Sequence, residues 1–251
     1  MSEQGWAGRG RAGWRLARVL VHLLRGLWTI VWRFPRLSAQ QRDARVQSWA
    51  QGLLHRVGVV LQVHGTPPVN GPVLLVANHL SWLDIPVLHA ARHCRFISKS
   101  DVGGWPLLAT LSGAAGTLYI DRNSRRDTLR MVEAMAGALH QRDVLAVFPE
   151  GTTGDGSALL PFRPNLLEAA VQTDAPVQPV GLRFIDPASG ADSPAPLYVG
   201  DTTLVASLWR TLSAPAVIAR VHYGTPDTAR GRDRRTWAKD LQAEVDRLRR
   251  G

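Results

Sequence analysis

The sequence predicts an α/β fold, a mixed, largely parallel sheet flanked by helices, preceded by an amphipathic N-terminal helical segment. Three observations carry that reading. Seven short runs of aliphatic residues have the length and composition of buried strands, amphipathic stretches fill several of the intervals between them, and residues 14–58 carry helical rather than strand periodicity. With 251 residues, 45% of them hydrophobic, the chain has enough apolar surface for a sizeable core. The division read from these patterns is a helical segment over 1–58 and an α/β domain over 59–251.

The first helix is WRLARVLVHLLRGLWTIVWRF, residues 14–34. Arg15, Arg18, His22, Arg25 and Arg33 recur at steps of three and four, with Thr29 filling the gap, so they stack along one face. Leu16, Val19, Leu20, Leu23, Leu27, Ile30 and Val31 take the rest. The basic residues leave no uninterrupted span of about 20 apolar residues, as a transmembrane helix needs, and no small-residue cleavage site follows, as a secretory signal needs. Ser38 is positioned as an N-cap for a second helix in which Val46, Trp49, Leu53, Leu54 and Val57 keep helical spacing to Gly58.

Beyond Gly58 the period changes. Strands are expected at 59–63, 72–77, 95–98, 116–120, 144–148, 177–184 and 217–222, with helices at 84–93, 104–112, 124–141 and 165–173. DPASGADSPAP, residues 186–196, reads as a loop. RDRRTWAKDLQAEVDRLRR, residues 232–250, reads as a final surface helix whose Arg-rich end complements the helix dipole.

A formal net charge of +10, almost all of its positive part from Arg, points to an anionic partner. No zinc-type Cys/His spacing, aromatic RNA-binding signature or reading helix accompanies it, so nucleic acid is not expected. Four of the nine Trp precede residue 33, which favours a lipid interface, where an apolar ring and a polar N–H are both accommodated. The N-terminal segment is therefore expected to be membrane-associating, lying in the headgroup region with its basic stripe on anionic phosphates. The single cysteine, Cys94, excludes an intramolecular disulfide and suits a reducing compartment.

Three strands run straight into polar sequence. The first gives NHLSWLD, residues 78–84. Five residues along a regular helix is about 500°, about 140° away from the starting face, so His79 and Asp84 meet only if His79 precedes a helix and Asp84 lies in its first turn. Pro86, tolerated only near a helix start, supports that arrangement. A carboxylate would then hold one imidazole nitrogen and leave the other free to take a proton from a hydroxyl. The other pair with this spacing, His222 and Asp227, is followed by a turn and lacks a helix to set its geometry. No third ligand stands at metal-site spacing.

The second polar strand end is FPEGTTGDG, residues 148–156. Gly151 and Gly156 have the Walker separation, but Ser157 stands where that motif needs Lys, which argues against nucleotide hydrolysis. The third is GTLYIDR, residues 116–122, where Arg122 offers a planar fork for phosphate or carboxylate; Lys99, after RFIS, supplies a second candidate cation.

The order and identity of NHLSWLD, GTLYIDR, FPEGT and VQPV resemble the glycerolipid acyltransferase family, whose bacterial members include 1-acyl-sn-glycerol-3-phosphate and other lysophospholipid acyltransferases. The likeness covers about residues 59–223. It implies O-acylation of a lysolipid hydroxyl, with 1-acyl-sn-glycerol-3-phosphate in phospholipid biosynthesis as the first expected acceptor and lyso-ornithine lipid or another non-phosphate lysolipid as the alternative. The implied donor is an acyl thioester on coenzyme A or acyl carrier protein, with His79 as general base and Asp84 as its orienting partner. It implies acceptor binding by Arg122, Glu150, Gly151 and Thr152, a site lining from Val177 to Val180, and no cofactor or metal beyond the thioester co-substrate. One departure concerns the acceptor: Thr153 and Gly154 stand where members using lysophosphatidic acid commonly have Arg and Ser. That form looks more like relatives acylating lyso-ornithine lipid, unless Arg163 or Lys99 replaces the missing cation. The expected place is the cytoplasmic face of the inner or plasma membrane, peripheral or monotopic. The competing readings are a hydrolase using the same His79 with water, and a non-enzymatic basic module that binds membranes.

Overall fold

A computed structural model describes residues 3–99, 106–120 and 125–251. In chain order the elements are α1 (Glu3–Trp32), α2 (Ala39–Val57), β1 (Val59–His64), β2 (Val73–Ala77), α3 (Asp84–Ala91), β3 (Arg95–Lys99), α4 (Pro106–Ala114), β4 (Leu118–Ile120), α5 (Arg125–His140), β5 (Val144–Val147), α6 (Glu168–Thr173), β6 (Val177–Ile185), α7 (Leu204–Ser213), β7 (Val217–Tyr223) and α8 (Arg234–Arg250). The sheet order is β1-β7-β6-β2-β5-β3-β4. All neighbours are parallel except β6 and β7, so β1 and β7 run opposite to the other five strands. The mixed, largely parallel sheet flanked by helices is thus present, and every expected strand has its counterpart.

Two cores lie on the two sides of the sheet, because successive strand side chains point to opposite faces. In β2, Val73, Leu75 and Ala77 join α2, α3 and Leu212 of α7 on one side. Leu74 and Val76 join α5, α6 and α8 on the other. On that second side Gly181 of β6 is needed for fit: a Cβ there would lie 2.4 Å from the backbone nitrogen of Arg249.

The Ser38 cap closes a full capping box with Gln41, as its spacing predicts. Helix α7 was not expected. The side chains it buries are Ser207, Thr211 and Leu212, while Val205 and Trp209 are exposed, so its polarity runs against the rule by which hydrophobic periodicity reveals a helix.

Helix α1 also turns differently from the expected stripe. Arg15 and His22 face the protein body: Arg15 reaches the carbonyls of α7's end, and the His22 ring stacks on Trp49 at 5.1 Å. The cause is that the last carbonyls of a helix lack internal partners and a guanidinium satisfies several at once. What α1 leaves exposed is Trp6, Trp14, Leu20, Val21, Leu24, Trp28, Val31 and Trp32. Arg18 and Arg33 lie over Trp14 and Trp28, at 5.9 and 5.5 Å from the ring centroids. Among the described residues no helix is long and apolar enough to cross a membrane.

Adding a methyl group at Gly181 overpacks the contact with α8, so Gly181→Ala lowers unfolding free energy by about 1–3 kcal/mol. Gly137, mid-helix in α5 with open space where a Cβ would stand, gives the opposite sign. Gly137→Ala raises stability by up to about 1 kcal/mol; urea denaturation of both variants checks the pair.

Candidate active site

The C-terminal ends of β2, β5 and β6 share one edge of the sheet, and the loops leaving them build the site. Residues 78–83 follow β2 and lead into α3, whose first turn holds Asp84, an acidic position favoured by the helix dipole. Asp84 is fully buried, and its Oδ2 accepts three hydrogen bonds: from the backbone N–H groups of Leu80 at 2.6 Å and Ser81 at 2.9 Å, and from His79 Nδ1 at 2.7 Å. An oxygen already taking two amide donors acts as acceptor, so His79 Nδ1 carries the hydrogen and Nε2 keeps its lone pair. The imidazole is also held by its face, stacked on Phe148 with centroids 4.0 Å apart and planes within 7°.

That stack is the first step of an aromatic ladder. Phe148 stacks on Phe96 at 5.7 Å, Phe96 meets the edge of His89 at 5.0 Å, and His89 stacks on His93 at 5.2 Å. Burial pushes His89 down to about 3, so it stands neutral under the site.

Glu150 follows β5 and is buried, with both oxygens engaged. One accepts the His79 N–H at 2.8 Å and the other the Leu160 N–H at 2.8 Å. Burial raises its carboxyl above the ordinary range, and the two N–H donors work against that rise. The side chain is therefore an internal brace between the histidine and glutamate loops. A further link runs from Gly154 N–H to the His79 carbonyl at 2.8 Å.

Gly151 adopts φ +74°, and a Cβ there would lie 2.5 Å from Arg163 Cζ, so glycine lets the guanidinium lie across the loop. Arg163 and Thr152 are both exposed beside it. Lys99 ends β3, paired with Ile120 of β4. Arg122 lies outside the described residues. In the proline-centred motif, Gln178 turns its amide to the Thr66 and Gly224 carbonyls at 2.9 and 2.8 Å, and Val177 and Val180 are core residues.

Sequence reading missed a second layer of supports. Asn78 makes a two-way bond with Leu182, donating to its carbonyl at 3.0 Å and accepting its N–H at 2.7 Å, which ties the histidine loop to β6. Ser81 donates its hydroxyl to the Pro196 carbonyl. Thr153 donates to the Tyr198 carbonyl, and Tyr198 N–H donates to the Leu80 carbonyl at 3.1 Å. Most of these partners are main-chain groups, which leave no side-chain signature in a sequence.

Neither nucleophile candidate near the site is poised. The Ser81 hydroxyl is committed to Pro196, and burial pushes the Cys94 thiol far above its ordinary value. Among the described residues no group of three or more His, Cys, Asp and Glu is arranged to hold a metal ion. What the arrangement offers is one oriented imidazole with a free Nε2, able to take a proton from a hydroxyl.

Replacing Glu150 with Gln turns one accepting oxygen into an NH2 group that faces an amide donor. Glu150→Gln is expected to lose about 1–3 kcal/mol of stability and to lower turnover with it, as read by urea denaturation and an activity assay on the same preparation.

Residues 60–183 match the Acyltransferase family model. The 1-acyl-sn-glycerol-3-phosphate acyltransferase of Neisseria meningitidis is 35% identical over 198 residues, 78% of this chain and 76% of the relative. The lyso-ornithine lipid O-acyltransferase of Pseudomonas aeruginosa is 33% identical over 238 residues, 92% of this chain and 90% of the relative. In fold, the crystal structure of the 1-acyl-sn-glycerophosphate acyltransferase of Thermotoga maritima superposes with a TM-score of 0.62, at 18% identity, over 93% of this chain and 97% of that one. With the loops of residues 78–84 and 148–160 joined around His79 and relatives aligned over most of their own length, the chain belongs to the lysolipid acyltransferase family, whose bacterial relatives carry the names 1-acyl-sn-glycerol-3-phosphate acyltransferase and lyso-ornithine lipid O-acyltransferase.

Proposed function

We propose that the protein moves a fatty acyl chain from a thioester, on coenzyme A or acyl carrier protein, directly to the free hydroxyl of a lysolipid at a membrane surface. The observation that carries this is the 2.7 Å bond from His79 Nδ1 to the buried Asp84, which leaves Nε2 as the base. His79 takes the hydroxyl proton as the oxygen attacks the thioester carbonyl. Collapse of the tetrahedral intermediate breaks the C–S bond, and the imidazolium returns its proton to the departing thiolate. The thioester is already activated, so the scheme balances with no acyl-enzyme, metal or bound cofactor.

Two acceptors are in play. For 1-acyl-sn-glycerol-3-phosphate, the exposed guanidinium of Arg163 across Gly151 is the cation on hand for the phosphate. For lyso-ornithine lipid, the supporting observation is Thr153: where a second cation would serve a phosphate, its hydroxyl is committed to Tyr198. The Pseudomonas aeruginosa relative, aligned over 92% of this chain, favours the same acceptor.

We assign the exposed Trp and Leu face of α1 to the bilayer, with Arg18, Arg25 and Arg33 meeting anionic headgroups, and place the enzyme peripherally on the cytoplasmic leaflet. The net charge of +10 serves that contact and not nucleic acid.

His79→Ala is expected to cut kcat by about 100-fold to 10,000-fold, the usual worth of a positioned base, in a chain that stays folded but loses about 1–3 kcal/mol of stability, because the buried Asp84 loses one of its three donors. Product analysis on a panel of lysolipids with one labelled acyl thioester names the acceptor; release of free fatty acid alone would identify a hydrolase. Leu24→Asp with Trp28→Asp is expected to abolish co-sedimentation with phosphatidylglycerol vesicles while leaving the melting temperature in place, since both side chains are exposed.

A further inference from the structure

Helix α7 and the segment before it connect α1 to the catalytic loops by an unbroken series of hydrogen bonds. At one end, Arg11 donates to the Ser213 carbonyl at 2.9 Å, and Arg15 donates to Leu212 at 3.0 Å, Ala214 at 2.6 Å and Pro215 at 2.9 Å. Two guanidiniums of α1 thus grip the C-terminal end of α7.

In its middle, α7 grips the strap at residues 195–198. Ser207 donates to the Pro196 carbonyl at 3.0 Å, Thr211 to Ala195 at 3.3 Å and Arg210 to Leu197 at 2.6 Å. At the far end the strap grips the site. The Pro196 carbonyl that accepts from Ser207 also accepts from Ser81, and the Tyr198 peptide takes hold of both loops through Leu80 and Thr153. Trp82 adds a direct bond to Ser207 at 3.1 Å. Leu80 and Ser81 are the residues whose N–H groups hold the Asp84 oxygen that orients His79.

Buried hydroxyls make this connection specific. Ser207 and Thr211 are almost fully buried, positions where a small apolar residue would pack at no desolvation cost. Their hydroxyls instead tie α7 to the strap. Both helices at the remote end also present apolar side chains outward, α1 through its Trp and Leu face and α7 through Val205 and Trp209.

We propose that α7 and the strap are a positioning device that makes the geometry of His79 depend on how α1 is seated, so that docking on a bilayer raises the turnover of the site. The inference rests on the acyl-transfer reading above. A bilayer that engages α1 and α7 together fixes their mutual seating, and the strap carries that seating to the Leu80 and Ser81 peptides. Catalysis by an oriented base responds steeply to such adjustments, since a misplacement of about 1 Å costs as much as about 100-fold in rate. Arg11, Arg15 and Ser207 are positioning residues, because each acts through other groups and none reaches the reacting atoms.

The test uses the full chain and a short-chain, water-soluble lysolipid acceptor, with and without acceptor-free vesicles of phosphatidylethanolamine and phosphatidylglycerol. Wild-type kcat is expected to rise at least about five-fold with vesicles, the lower end of ordinary coupling between sites, with KM unchanged. Arg15→Ala is expected to sediment with vesicles as wild type does and to keep the vesicle-free kcat, but to lose the rise, which Arg15→Lys restores in part; Ser207→Ala is expected to lose the rise as well. A wild-type kcat indifferent to vesicles, a change confined to KM, or a full rise in Arg15→Ala overturns the inference. Should Ser207→Ala fail to fold, the Arg15 pair decides alone. Absence of all turnover, by contrast, removes the acyl-transfer reading itself.

Discussion

One carboxylate oxygen organises the site. Asp84 Oδ2 gathers two backbone amides and an imidazole N–H within 2.9 Å in a fully buried setting, and those bonds define the turn from β2 into α3 as much as they orient His79. The local fold and the chemistry therefore depend on the same atom. A loop that changes direction in apolar surroundings must find partners for its amides, and here the partner is the group that makes the histidine a base.

Glu150 repeats the arrangement from the next strand. Its two oxygens bridge the His79 and Leu160 amides, so the loops after β2 and β5 close on each other through a second buried carboxylate. Burial dominates at Glu150 strongly enough to raise its carboxyl above the ordinary range. Carboxylates in this site serve first as acceptors for main-chain donors. The imidazole is then held in three ways: by its Nδ1, by its own backbone N–H and by the face of Phe148.

Much of the fold was legible because its signals are local. Aliphatic runs marked the seven strands, and Ser38 and Gly58 marked the ends of α2 by cap chemistry alone. The His79–Asp84 pair was legible for the same reason, since five residues and a helix start determine whether the two groups meet. Helix α7 was hidden because Ser207 and Thr211 occupy its inner face, where an apolar pattern is the usual guide. The orientation of α1 was hidden because an Arg that caps carbonyls of a distant helix reads, in isolation, as an Arg facing solvent. The bracing bonds of Glu150 and Thr153 were unseen because their partners are peptide groups brought close only by the tertiary fold.

The reversed pair at the sheet edge has a topological consequence. Because β1 and β7 run against the other strands, their starting ends are level with Ile185 at the finishing end of β6 and point to the same side of the sheet as the finishing ends of β2 and β5. The chain leaves α2 and α7 directly into those starts, so two of the helices outside the sheet are delivered to the catalytic rim without any long crossover. A uniformly parallel sheet would have fed them in at the opposite rim, where β2 and β5 begin.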